Sequence, residues 1–476
     1  MFEGHYLRRT FLQVGYPKIF SFVLNFVSFP ILLNGIGIEE YGVFVYTSSI
    51  AILVEIFLDL GITSAWGKNC TNLRINGRSI LYTYKVWFIF QLSISVIGFL
   101  LFSYLGRFFI AEYYEIYLYI LSSLFLGVVF NFQKSTLNAM LKFNMVAKLD
   151  LIESISRSLI FIVVGLLFKT VETLAFLLLC SLLVQFLLAS WSVKLTLLHA
   201  DTNNWAPPVK KVLRSLYKES PLFLWLRLST RFFHEIPILL LRNFYGEYIV
   251  GLLGSIRKLT EYLVIPYSIV GNILMYRGEE LVNSGKGKLL LDNINRIMFL
   301  TLCLLPIIIV FEGIIERLFI DTLFNPSLFL ALSMSYACAH IVFSLYAPIS
   351  DYLGSLLRRN IFLTVLVLSG MLVLWIGSIS GRGELTMLYL IIGLNIILGY
   401  GYYIISRRAI SQNKGWPLLD TEIMLIIQFL LTFFVLYVRV FYTSNIFFWL
   451  WLLMSSVFWI LKRNFLIDSL KKIKNL

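Results

Sequence analysis

Apolar runs of about twenty residues recur along the whole chain, separated by short polar stretches that hold most of the charge. Fourteen runs can be counted, at roughly 13–33, 41–66, 86–105, 116–137, 149–168, 173–193, 221–242, 247–276, 297–320, 327–349, 360–380, 386–406, 421–441 and 445–461. At ~1.5 Å per residue a helix of that length crosses a hydrocarbon core of ~30 Å. The runs are continuous, whereas barrel strands would alternate over ~10 residues. The pattern predicts an all-α polytopic membrane protein of about fourteen transmembrane helices.

Charge placement supports the count. With the N-terminus inside, 28 lysines and arginines fall in inside segments and 6 in outside loops, the latter being Arg107, Lys169, Arg242, Arg317, Arg382 and Arg439. Cytoplasmic loops carry such an excess, so both termini are expected in the cytoplasm. Composition agrees: 59% of the 476 residues are hydrophobic and 14% charged, against roughly 25% charged in soluble domains. Mean hydropathy is +0.83. The net charge of +14 then reads as loops facing anionic lipid, with no nucleic-acid partner.

The chain reads as two halves. Pro30-Ile-Leu-Leu33 reappears as Pro237-Ile-Leu-Leu240, and the same ungapped offset maps Glu40-Tyr41 onto Glu247-Tyr248 and Val43 onto Val250. Seven of the fourteen positions from 30 to 43 agree. Repeats of this kind underlie many transporter folds. The expected organisation is an N-terminal lobe over 1–200, a cytoplasmic linker over 201–220, a second six-span lobe over 221–412, and two further spans with a basic tail over 413–476. In the linker, KKVLRSLYK (210–218) has the pattern of a basic amphipathic helix lying on the inner membrane surface.

Charges inside the runs are few and clustered. Arg227 and Arg231 stand one helical turn apart in the seventh span, followed by His234 and Glu235. By counting, Arg231 falls near the bilayer midplane, where an unaccompanied charge costs ~3 to more than ~10 kcal/mol. Such a residue is expected to face water or a partner. Lys18 lies in the first span, Arg257, Lys258 and Glu261 in the eighth, and Glu55 and Asp59 four apart in the second. Glu153 and Arg157, also four apart, are spaced for an intrahelical ion pair. In the eighth span the spacing suggests that Glu261 neutralises Arg257 at i+4.

A cationic mid-membrane lining suits an anionic cargo, because guanidinium grips phosphate through parallel hydrogen bonds. Arg231, Arg227, Arg257, Lys258 and Lys18 are the candidate diphosphate ligands. Asp59, Glu55, Glu235 and Glu261 are candidates for binding a coupling ion, H+ or Na+, or for balancing the cations when cargo is absent. His234-Glu235 lacks the second histidine of a zinc motif, no GxxxxGK[ST] is present, and the cysteines at 70, 180, 303 and 338 have no metal spacing. No metal, no organic cofactor and no catalytic constellation are expected, so the chain is read as a transporter and not an enzyme.

The run Leu33-Asn-Gly-Ile-Gly-Ile-Glu-Glu-Tyr-Gly-Val-Phe44, with Asp59-Leu-Gly-Ile-Thr-Ser64 one helix later, resembles the start of polysaccharide repeat-unit flippases of the Wzx type. These belong to the multidrug/oligosaccharidyl-lipid/polysaccharide exporter superfamily. Gly37, Glu40, Tyr41, Gly42, Phe44, Asp59 and Gly61 match its "LG…EYG.F" and "D.G" patterns. The resemblance implies an inner-membrane translocase of undecaprenyl-diphosphate-linked oligosaccharide for O-antigen (lipopolysaccharide), capsule or exopolysaccharide, working by rocking of two lobes. It also implies a polysaccharide polymerase and a chain-length regulator as partners. Lipid-II flippases and cation-coupled multidrug antiporters of the same superfamily are the alternatives.

Overall fold

The computed structural model describes residues 20–75, 80–200, 209–261 and 356–410 almost without interruption, and isolated positions between 264 and 346. Among the described residues every regular element is a helix. In chain order these are α1 (Val23–Ile36), α2 (Ile38–Asp59), α3 (Ile62–Ile75), α4 (Leu81–Phe109), α5 (Tyr114–Ala139), α6 (Phe143–Val163), α7 (Val171–Ala200), α8 (Val209–Tyr245), α9 (247–261), α10 (Leu356–Ile379) and α11 (Glu384–Ile410). A single 3₁₀ turn, Ala111–Tyr113, precedes α5, and a π-turn, Val164–Phe168, ends α6.

Seven helices of the described part are long and apolar enough to cross a membrane, so this is a multi-pass membrane protein. α8 is longer than any of them but carries Arg227, Arg231 and Glu235 within its apolar stretch. The runs at 421–441 and 445–461, and nearly all of 297–320, lie outside the described residues, as does Lys18.

Two compact units divide the chain. One comprises 16–251 with 363–380, and the other holds the remaining described residues. In the first, α5 packs on α7, α3 and α4; α2 packs on α5, α4 and α8; and α6 packs on α7. The outer faces of α4 (Ile89, Ile97, Leu100, Phe108) and α7 (Leu183, Leu187, Trp191) remain exposed and apolar, as expected where lipid is the solvent. The interior is anchored by aromatic rings. Trp66 on α3 lies 5.6 Å from the rings of both Trp87 and Phe132. Its indole N–H donates to Thr136 Oγ1 at 2.8 Å, which satisfies a polar atom buried among apolar groups.

In the second unit, Arg359 Nε, from the first turns of α10, donates to the Tyr402 hydroxyl of α11 at 2.5 Å, its guanidinium lying 4.7 Å over the Tyr402 ring. Ser406 Oγ donates to the Tyr346 carbonyl at 2.9 Å.

The apolar run at 41–66 is not one helix. Leu60 and Gly61 take left-handed backbone, with φ of 47° and 75°, so α2 ends at Asp59 and α3 begins at Ile62. Hydropathy is blind to this break because Leu60 and Gly61 are themselves apolar. The linker reading also changes. The basic stretch 210–218 and the seventh run lie in one helix of 37 residues, α8, which continues through Pro221 and Pro237.

The structure shows a related joint in each half of the repeat, but not at the single ungapped offset read from the sequence. Gly37, φ 86°, separates α1 from α2, and Gly246, φ 84°, separates α8 from α9. Each joint is one glycine between two helices, but α8 runs two residues further from its Pro-Ile-Leu-Leu to the glycine than α1 does, so Gly37 matches Gly246, Gly42 matches Gly251, and the ungapped pairing of Glu40 with Glu247 is lost. The two joints touch reciprocally. A β-carbon on Gly42 would sit 2.0 Å from the Glu247 carbonyl oxygen, and one on Gly251 would sit 2.0 Å from the Ile38 carbonyl oxygen. Position 5 of each helix thus lies on position 1 of the other, as a local two-fold relation requires.

Candidate functional site

α2 and α8 run antiparallel and present their charges in matching rows. Arg227 Nη1 donates to Asp59 Oδ2. One turn along, Arg231 Nη2 donates to Glu55 Oε2 at 3.3 Å. The spacing of four on both helices makes the two pairs neighbours, and the four charges cancel.

The pairs differ in kind. Asp59 is fully buried and both its oxygens are engaged. Oδ1 accepts from the Thr63 hydroxyl and, at 3.3 Å, from the Thr63 N–H, while Oδ2 accepts from the Gly61 N–H at 3.1 Å as well as from Arg227. The carboxylate therefore caps the start of α3, satisfying donors that the helix break would orphan. Arg227 Nη2 reaches Ser64 Oγ at 3.4 Å. Gly61 lets α8 close on this turn: its β-carbon would lie 2.6 Å from the Leu224 nitrogen and 2.7 Å from the Ser220 carbonyl oxygen. The Asp-x-Gly motif is thus a docking platform for α8.

The Arg231–Glu55 pair is looser. Side-chain exposure is 43% for Arg231 and 12% for Glu55, and the single hydrogen bond is longer than the ~2.7–2.9 Å of a tight charge-assisted bond. A guanidinium has five N–H donors. Among the described residues, Glu55 engages only one of those on Arg231.

The other expected site residues lie elsewhere. Glu235 is buried on α8, and His234 meets the Phe233 ring edge-on at 5.3 Å. On α9, Lys258 donates to Glu261 at 2.7 Å, at i+3. Arg257 and Glu261 both act electrostatically on His340. Glu153 and Arg157 form an ion pair of 2.8 Å. It is part of a larger group, because Lys134 bonds Asp150 and lies 3.9 Å from Glu153.

Two clusters involve cations at the ends of apolar runs, which the sequence reading does not single out. Lys134 is the first. Arg242 is the second: it lies 3.3 Å from Glu112 and 3.2 Å from Glu247, with its guanidinium 4.8 Å over the Tyr46 ring. The helical spacing of Asp150, Glu153 and Arg157 was a usable signal for the first. Nothing in the local sequence marks the second, since its members come from four separate elements. Among the described residues no cluster of histidine, cysteine and carboxylate side chains could hold a metal.

A family described as "Polysaccharide biosynthesis protein" matches residues 12–275, which includes α1 to α9 and both ion pairs. The chain belongs to this family. No curated protein matches the sequence. Solved structures share the fold at low identity. The lipid II flippase MurJ, in an inward closed conformation, aligns with TM-score 0.60 at 14% identity, covering 94% of this chain and 98% of its own. The Vibrio cholerae MATE transporter VcmN, in its bent form, gives 0.58 at 13% identity, covering 87% and 99%. A MOP superfamily transporter from Pyrococcus furiosus gives 0.58 at 15% identity, covering 86% and 96%. The polysaccharide biosynthesis family member described here therefore has the fold of MOP superfamily transporters, in line with the resemblance read from the Glu-Tyr-Gly and Asp-x-Gly motifs.

Proposed function

We propose that this protein translocates undecaprenyl-diphosphate-linked oligosaccharide repeat units across the bacterial inner membrane, and that Arg231 meets the diphosphate. The observation that carries the reading is the half-exposed guanidinium of Arg231, loosely held by one carboxylate, within the apolar stretch of α8 in a polysaccharide biosynthesis protein. A phosphate approaching this fork gains two parallel hydrogen bonds in a medium of low dielectric. Arg227 does not compete for this role, since it fixes the α2–α3 turn. Arg257, Lys258 and Lys18 stand as further candidate ligands.

The fold suits alternating access, with the lipid tail left in the bilayer while the diphosphate-sugar head crosses. No catalytic step belongs to the protein in this reading; the chemistry is left to a polymerase acting on the translocated unit. One fold relative bears on the cargo. MurJ is described as a lipid II flippase, a name that supports a lipid-linked diphosphate. A cation-exporting multidrug transporter would be better served by unpaired acidic groups than by the charge-balanced rows seen here.

The test is translocation of defined lipid-linked oligosaccharides in liposomes, with and without ion gradients. Arg231→Ala is expected to lower the rate at least ~10-fold while the protein inserts normally, the scale of one lost charge-assisted hydrogen bond. Arg231→Lys should keep part of the activity, because a lysine retains the charge but loses the fork. Wild-type rates for Arg231→Ala would remove the site from the proposal.

A further inference from the structure

We propose that cargo diphosphate and the Glu55 carboxylate compete for Arg231, so that Glu55 takes up one proton from solvent when cargo binds and gives it back when cargo leaves. This rests on the reading above that Arg231 meets the diphosphate. It singles out Glu55 among the candidate carboxylates and adds a stoichiometric link between cargo binding and proton uptake.

The argument starts from the inequality of the two ion pairs. Asp59 is held by two backbone N–H groups and a hydroxyl in addition to Arg227. It would keep three donors if its arginine moved away. Glu55 has no comparable support: among the described residues Arg231 is its hydrogen-bond partner, at 3.3 Å. Its side chain is nonetheless only 12% exposed. A carboxylate in that position, deprived of its cation, is a poorly solvated anion, and the inexpensive way to relieve it is protonation.

Among the described residues no second cation bonds Glu55. α2 packs against α4, α5, α7 and α8, and its first turn meets the start of α9, where Glu247 is paired with Arg242. The charged residues of α4, α5 and α7 lie toward the helix ends: Lys85 and Arg107, Glu115 and Lys134, Glu172 and Lys194. Of these Lys134 is bound to Asp150. On α8, Arg227 is committed to Asp59, and the remaining titratable neighbours are His234, one turn on, and the buried Glu235.

The phosphate need not evict Glu55 completely. Even on the open edge of the guanidinium it would bring a second anion within a few ångströms of the carboxylate, and two anions sharing one cation in low dielectric favour protonating one of them. The balance is simple: one proton enters from solvent, no covalent bond changes except the new O–H on Glu55, and the local charge rises by one to meet the arriving diphosphate.

Binding of farnesyl-diphospho-N-acetylglucosamine to the purified protein in detergent tests the exchange. Both its phosphates are esterified, so the probe itself keeps a constant charge from about pH 6 to about pH 8. Wild-type affinity is expected to rise as pH falls, by up to roughly tenfold per unit, the limit for one linked proton. Calorimetry in two buffers of different ionisation enthalpy should show uptake approaching one proton. Glu55→Gln should bind at about pH 8 at least ~10-fold tighter than wild type, with no pH dependence. His234→Gln should leave the wild-type dependence in place.

The outcomes separate cleanly. If Arg231→Ala binds the probe as well as wild type, the site proposal itself is wrong. If Arg231→Ala loses binding but wild type takes up no proton, the site stands and the exchange is wrong. Dependence that survives in Glu55→Gln, or disappears in His234→Gln, also overturns it. Calorimetry on the wild type needs no variant, so a poorly folding Glu55→Gln cannot shield the idea.

Discussion

Asp59→Ala is expected to leave little folded protein in the membrane. The substitution removes an acceptor from two backbone N–H groups at the start of α3 and strips Arg227 of its counter-charge. Breaking a buried pair by deleting one partner costs about 3–5 kcal/mol. Arg227 is 31% exposed, which places the electrostatic part near the lower end, and the lost cap adds about 0.5–2 kcal/mol. Against a typical total stability of roughly 5–15 kcal/mol, this is a large part of the margin. The check is the yield of monodisperse protein in detergent and its thermal midpoint. Glu55→Gln is the control: an isosteric change at the looser pair should express and melt much like wild type. Equal behaviour of the two variants would erase the distinction between a structural and an exchangeable pair.

A single added methyl group at Gly42 or Gly251 is expected to be nearly as damaging. Each β-carbon would arrive 2.0 Å from a backbone carbonyl oxygen on the opposite helix, where no flexible side chain can give way. The helices must separate, and overpacking of this sort costs about 1–3 kcal/mol, sometimes more. Gly42→Ala and Gly251→Ala press on the two halves of one contact, so the double variant should cost less than the sum of the single ones. The first substitution will already have opened the gap that the second needs. Thermal midpoints of the three variants would reveal that shortfall. Strict additivity would show that the crossing is not shared.

Much of the molecule could be read from the chain. Long apolar runs announced membrane helices, and the Glu-Tyr-Gly and Asp-x-Gly motifs announced the polysaccharide biosynthesis family, because both classes of signal are local. What stayed hidden required geometry. The break between α2 and α3 lies inside an apolar run, so hydropathy passes over Leu60 and Gly61 without a mark. The pairing of Arg227 with Asp59 and of Arg231 with Glu55 joins positions far apart in sequence. Regular spacing supplied the candidates, while contact alone could tell the cap from the loose pair. Lys134 and Arg242 stand at the ends of apolar runs, where counting gives them no partner, and each pairs with carboxylates from other elements. Spacing could not show that Glu261 bonds Lys258 at i+3, since i+3 and i+4 both place side chains on one face.

The length of α8 has a mechanical corollary. Its 37 residues reach ~55 Å at ~1.5 Å each, far beyond the ~30 Å of hydrocarbon. The Asp59 platform holds it close to the middle, at Arg227. A rod gripped there behaves as a lever with a fulcrum: when the apolar arm tilts, the polar arm swings the opposite way. A spectroscopic label on the polar arm would report that swing from a distance, leaving the arginines untouched.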